Sequence, residues 1–256
     1  MTIHGMVFCW PGQEQNTIDI VRALSGHVER LTVIDATASA IPSLGQCDWV
    51  KVDPRYYFGM KFCSALKVFD GDVLLQVQAD ASCDDWPALA ARCRHAFGLN
   101  GLGIWAPDVN YSRWNTDVVH LADTDDPNLK LVTQTDCIVW AMSRAVAGRM
   151  RRLDYTKNNL GWGVDWAAIA YCYASKLAVI RDISICVRHP QSTGYAKRTA
   201  AEQMNAFLGQ LDYPEKIQHR LLMNTVRLNA RPPLMSPMQA ATPGASADSQ
   251  SRSSSS

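Results

Sequence analysis

Three polar side chains stand where regular elements end, and their types suit acid–base and metal chemistry. Asp165 follows the turn Asn158-Asn159-Leu160-Gly161-Trp162-Gly163-Val164 and opens an apolar run that reads as a helix. Asp80 closes the strand-like run Val73-Leu74-Leu75-Gln76-Val77-Gln78-Ala79-Asp80, and His189 closes Ile183-Ser184-Ile185-Cys186-Val187-Arg188-His189. Ligands of open α/β sheets collect outside the carboxyl ends of the strands. A carboxylate placed there binds a hard cation, and an imidazole beside it suits Mn2+ and other transition metals. A carboxylate at a helix N-terminus is held ionised by the free N–H groups and the dipole, so it is able to take a proton. Each residue also has a purely structural reading. Asp80 and Asp165 are possible caps, with Asp84 and Asp85 as rivals, and His189 is a surface residue before the Pro190 turn.

The elements that must position these groups follow from periodicity. Gly5–Trp10, Leu31–Asp35, Trp49–Val52 and the run ending at Asp80 read as strands. Gln13–Leu24 and Tyr57–Val68 read as helices between them, the first capped by Asn16 or Thr17 and stopped by Gly26. Trp86–Phe97 is an amphipathic helix with Pro87 in its first turn. Further strands are expected at Gly103–Pro107, Leu131–Thr133, Leu177–Ile180 and Ser184–Val187. Cys137–Met142 reads as a strand or a buried helix start. Trp166–Ser175, Thr199–Leu211 and Pro214–Leu228 read as helices. Alternating strands and helices predict an α/β fold, a single domain with a mostly parallel sheet covered by helices. It spans residues 1–229. Residues 230–256 form a Pro/Ser-rich tail with too little apolar surface to order itself.

At 256 residues and 47% hydrophobic, the chain is able to bury a sizeable core. A net charge of +1 gives no field favouring nucleic acid. Arg149, Arg151 and Arg152 form the densest basic cluster and read as a solvated helix end. No signal peptide and no membrane-spanning run is legible, so a cytoplasmic location is expected. The eight cysteines are scattered without a C-x-x-C pair and read as buried small hydrophobes in a reducing compartment.

Taken in order, Asp80, the Gly161-Trp162-Gly163-Val164-Asp165 motif and His189 resemble GT-A-fold nucleotide-sugar glycosyltransferases, family 2-like with a galactosyltransferase-like Gly-Trp-Gly-x-Asp motif. The resemblance runs from about Gly5 to Leu208. It implies a GT-A-like, Rossmann-like domain that moves a sugar, with inversion, from a nucleotide-diphosphate donor to a saccharide or other hydroxyl acceptor. Asp165 would be the catalytic base. Asp80 and His189 would hold a divalent metal, Mn2+ or Mg2+. Trp10, Pro11, Asp35, Lys61, Asp80, Trp162 and Gly163 would contact the nucleotide-sugar, a UDP-sugar by family habit. Trp162 and Trp166 would offer flat faces to sugar rings. Trp105–Trp114 and Gln134-Thr135-Asp136 would face the acceptor. Two departures stand out. Gln78 replaces the first acid of the D-x-D motif, and Ala36 replaces the second Asp of a V-D-D-G-S segment.

Other readings compete. A nucleotidyltransferase would need a Gly-rich basic first loop, which Pro11-Gly12-Gln13-Glu14 is not. A binding protein on a degenerate transferase scaffold fits the lost acid of the D-x-D. A Cys–His nucleophile enzyme has no local signature here.

Overall fold

The structure, a computed structural model, describes residues 1–40, 45, 47–110, 114–190 and 196–230. The Pro/Ser-rich tail beyond residue 230 lies outside the described residues. Ten strands form one sheet, in the order β3-β2-β1-β4-β9-β6-β10-β8-β7 with β5 added beside β10. The strands are β1 Ile3–Cys9, β2 Arg30–Asp35, β3 Asp48–Lys51, β4 Val73–Gln78, β5 Ser82–Cys83, β6 Leu102–Val109, β7 His120–Asp123, β8 Leu129–Val132, β9 Val139–Ser143 and β10 Ala178–Arg188. Following the pairings, β1–β4, β6, β7 and β10 point one way, while β5, β8 and β9 run against them. The sheet is therefore mixed, with mostly parallel strands.

Side chains alternate across β1 because the strand period is two. Met6 and Phe8 enter one core with α2 (Phe58–Val68), α5 (Arg144–Met150), α6 (Val164–Ala174), α7 (Lys197–Leu208) and α8 (Tyr213–Asn229). Val7 and Cys9 enter the other, with α1 (Glu14–Leu24) and α3 (Trp86–Phe97). A short α4, Thr116–Val119, precedes β7. Burial of both sheet faces explains why the central strands read as continuous apolar runs rather than as alternation.

Several expectations need correction. Helix α1 starts at Glu14 with Gln13 as its N-cap, and Thr17 turns its hydroxyl back onto the Gln13 carbonyl at 2.8 Å. Cys137–Met142 resolves as strand β9. The two short strands expected at 177–187 are one strand, β10, whose register against β6 jumps between Asp182 and Cys186. Asp182 pins this bulge. It accepts from Ser184 N (3.0 Å), Ser184 Oγ (2.6 Å), Arg92 Nε (2.7 Å) and Trp105 Nε1 (3.3 Å). Arg149 is not part of a solvated helix end. Its guanidinium is buried and forks onto Glu215 at 2.6 Å through both Nε and Nη2, tying α5 to α8. Of the cysteines, Cys9, Cys93 and Cys172 are buried but Cys186 is exposed, and all eight are free thiols. Among the described residues no helix is long and apolar enough to cross a membrane.

Candidate active site

The carboxyl ends of β1, β2 and β4 carry Trp10, Asp35 and Asp80 to one edge of the sheet. β4 ends at Gln78, and a turn then presents Asp80. Two residues later β5 pairs antiparallel with the end of β10, Cys83 against Val187 and Ser82 against Arg188. That pairing draws the Asp80 turn to the residue that follows β10. His189 Nε2 lies 3.2 Å from Asp80 Oδ2. The contact lacks hydrogen-bond alignment, which leaves His189 Nε2 buried without a hydrogen-bond partner; Asp80 Oδ1, the other oxygen of the carboxylate, is buried and unpartnered as well. Asn110 Oδ1 accepts from His189 N at 3.1 Å and holds the backbone there. Unpartnered polar atoms on a carboxylate and on an adjacent imidazole suit a divalent cation. Among the described residues no group of three His, Cys, Asp or Glu side chains gathers at one point, so the remaining ligands of such a cation would come from a substrate or water. Gln78, at the place of the missing acid, is engaged elsewhere: its Nε2 donates to the Cys137 carbonyl at 3.2 Å.

Lys61 lies within electrostatic reach of Asp80. It is 2% exposed, with Nζ 4.3 Å from the Trp10 ring centroid. Burial pulls the ammonium down to about 8, against the opposing charges of Cys9, Asp35 and Asp80. Lys61 is therefore not a solvated helix lysine. Asp35, also 2% exposed, has both oxygens engaged: Lys51 Nζ at 2.7 Å and Thr37 N at 2.7 Å. Lys51 also donates to the Ser39 carbonyl at 2.6 Å, so Asp35 shapes the loop that follows β2. Pro11 is exposed next to the half-buried Trp10.

The turn before Asp165 is built against the start of α2. Asn159 O accepts from Gly59 N (2.9 Å), and Asn159 Oδ1 accepts from Tyr57 N (2.9 Å). Gly161 has φ +81° and Gly163 has φ +84°, backbone that glycine adopts without strain. A Cβ on Gly161 would also meet Phe58 at 2.4 Å and Gly59 N at 2.7 Å. Gly163 is the N-cap of α6, so Asp165 sits in the first helical turn. Its Oδ2 accepts from Gln134 Nε2 at 2.5 Å. The sequence-based expectation of a permanently ionised carboxylate needs revision. Burial outweighs the hydrogen bonds at the helix N-terminus, and nearby Asp136 adds to it, pushing Asp165 up to about 7.

Trp162 is half-buried beside this turn. Trp166 presents no free face, being 6% exposed and packed edge-on against Trp114 and His219. Trp105 is likewise fully buried, and residues 111–113 lie outside the described residues.

Sequence reasoning missed Arg181. This buried guanidinium in β10 donates from Nη1 to the Trp114 carbonyl at 2.6 Å and approaches Asp108 at 3.8 Å, while Nη2 has no partner. Burial lowers its pKa, against the charges of Asp136 and Asp108. The signal was present: Arg181-Asp182 interrupts an otherwise apolar strand. An open surface depression of about 610 Å³ lined by His27, Arg94 and His95 lies between α3 and the turn after α1, among none of these residues.

Neither the known family models nor the curated protein sequences give a match to this chain. Solved structures do match it. A mannosyltransferase from Pyrobaculum calidifontis, solved with GDP-Man and Mn2+, superposes with a TM-score of 0.58 at 13% identity, covering 89% of this chain and 73% of that one. GalNAc-T7 with UDP, GalNAc and Mn2+ gives 0.60 at 9% identity, covering 84% of this chain and 49% of that one. Glucosyl-3-phosphoglycerate synthase from Mycobacterium tuberculosis, with Mn2+, UDP-glucose and phosphoglyceric acid, gives 0.57 at 15% identity, covering 83% and 81%. At these identities the likeness is one of fold: the chain has the GT-A-like architecture shared by these glycosyltransferases.

Proposed function

We propose that this chain is a glycosyltransferase that moves a sugar from a nucleotide-diphosphate donor to a hydroxyl acceptor. The observation that carries the reading is the Asp80–His189 pair at 3.2 Å with unpartnered polar atoms, at the carboxyl ends of the strands and within electrostatic reach of the buried Lys61. A cation with a buried ammonium nearby would form a receptor for a diphosphate. Asp80 and His189 would hold the divalent metal, Mn2+ or Mg2+, which when bound supplies Lewis-acid stabilisation of the departing diphosphate. Lys61 neutralises charge on the same group. Trp10 and Pro11 lie on the nucleotide side, and Asp35 orders the adjoining loop through Lys51. UDP is the first nucleotide to test.

Asp165 is the base. The acceptor oxygen attacks the anomeric carbon and its proton passes to the Asp165 carboxylate. The bond from that carbon to the diphosphate breaks, and the electron pair leaves with the nucleoside diphosphate. A single displacement inverts the anomeric configuration. A carboxyl near 7 is matched to this task, since it is partly ionised at neutral pH and basic enough to accept a proton. Gln134 orients it, and Trp162 and Gly163 border the sugar position. Buried polar atoms without partners on Gln134 Oε1, Thr135 Oγ1 and Arg181 Nη2 supply hydrogen-bonding capacity for a polar acceptor.

The test is calorimetric binding of UDP and other nucleoside diphosphates with Mn2+ and with chelator. Tighter binding with Mn2+, abolished separately in Asp80→Ala and His189→Ala, supports the reading. Equal affinity in both conditions rejects the metal site. A binding protein on a transferase scaffold would bind donor but release no nucleoside diphosphate with any hydroxyl acceptor.

A further inference from the structure

Helix α8 carries two faces. Its inner face buries Glu215, Leu222 and Val226, and His219 meets Trp166 of α6 edge-on at 5.4 Å. The helix is fixed at both ends. Arg149 clamps Glu215, Asp212 and Glu215 form a capping box, and Asn229 Nδ2 donates to the Val118 carbonyl at 3.0 Å. Among the described residues the outer face is exposed and mostly apolar: Tyr213 is 78% exposed, Ile217 39%, Leu221 54% and Leu228 60%, with Asn224 the polar side chain inside the same arc. At 100° per residue these four fall within about 80° of arc. Lys216, Arg220 and Arg227, all exposed, occupy roughly the adjoining 60° on one side of the stripe. The helix has one acidic residue, Glu215, and it is buried against Arg149. The N-cap Asp212, exposed one turn before Lys216, also faces Arg149 at 3.6 Å, so it is the one carboxylate of this element bordering the three cations.

We propose that the outer face of α8 docks on a negatively charged lipid surface, with the helix lying in the plane of the interface. An apolar stripe flanked by Lys and Arg, on a helix rigidly held by its other face, is the pattern of an interfacial helix. Tyr213 suits the headgroup level, with an apolar ring and a polar tip. Charge complementarity selects this occupant over a second copy of the chain. A two-fold pairing through this face would bring Lys216, Arg220 and Arg227 against their own counterparts with Asp212 the one bordering carboxylate to offset them. One helix-wide stripe is also small against the ~800 Å² per partner of a stable dimer. The docking does not depend on the transfer reaction.

Sedimentation of the full chain with vesicles tests it. The protein should pellet with mixed phosphatidylglycerol–phosphatidylcholine vesicles, remain in solution with phosphatidylcholine alone, and be released by salt. Each basic residue near an anionic surface is worth about fivefold in partitioning, so Arg220→Gln with Arg227→Gln should weaken binding about 25-fold. Ile217→Ser with Leu221→Ser should abolish it. Both pairs change exposed side chains, so melting temperature should hold and confirm folding. Three outcomes overturn the proposal: no binding to the anionic vesicles, binding that neither pair weakens, or a dimer that the serine pair dissolves in a chain that ignores vesicles.

Discussion

Replacing Asp165 with Asn should remove a pH dependence of stability that the wild-type chain carries. The carboxyl is displaced from its ordinary 3.8 to about 7, chiefly by burial. The folded state therefore keeps a proton between those values that the unfolded chain has released. Stability from this site is fully present below about pH 4 and is lost as pH rises through about 7. The displacement corresponds to at most about 4 kcal/mol. Because the residue is half-buried, screening brings the expected effect nearer 2 kcal/mol. Asn cannot ionise, yet its amide oxygen can still accept from Gln134. Urea denaturation in chelated buffer at about pH 4, 7 and 8.5 measures the difference. Asp165→Asn should be about 2 kcal/mol more stable than wild type at the highest pH and no more stable at the lowest. In the transfer reaction the same variant should keep donor affinity and lose about 10²–10⁴ in turnover, and the wild-type rate should fall as pH drops below about 7. Parallel stability curves for the two proteins would refute a perturbed carboxyl. A loss of about 1 kcal/mol at every pH, with normal activity in the folded fraction, would make Asp165 a helix cap and nothing more.

Lys61 titrates at about 8, so with chelator present nucleoside diphosphate affinity should fall as pH rises through that value. Lys61→Met should bind about 10–100-fold more weakly with no pH dependence, by calorimetry, and an unchanged Kd would exclude the contact. A Cβ on Gly59 would lie 1.9 Å from the Asn158 carbonyl oxygen, whereas one on Gly12 meets nothing within 4 Å despite φ +87°. Gly59→Ala should therefore cost about 3 kcal/mol or more and Gly12→Ala only about 1, a ranking that thermal melts would check. Arg149→Met strands Glu215 as a buried charge and should cost about 3–5 kcal/mol, most of it recovered by adding Glu215→Leu. Failure of the double variant to recover would mean that the capping role of Glu215 dominates.

Local sequence determined much of this molecule. The apolar runs of β1, β2 and β4 and the helical periodicity of α1, α2 and α3 are written in short windows, because period and length reflect which side chains face a core. The Gly161 and Gly163 turns were legible because few other residues adopt positive φ there. That Asp80, Asp165 and His189 stand at the ends of elements was also legible. What the sequence left open depends on contacts between distant segments. The two-residue β5 has no signature of its own, yet its pairing with β10 is what sets Asp80 against His189. The β10 bulge looks like two strands until Asp182 is seen bonded to Arg92 and Trp105. The clamp of Arg149 on Glu215 turns an apparently solvated arginine into a buried one. The charge states of Asp165 and Lys61 follow from how much water the packed helices and sheet exclude. That desolvation is a property of the assembled tertiary structure and is not written in any local run of residues.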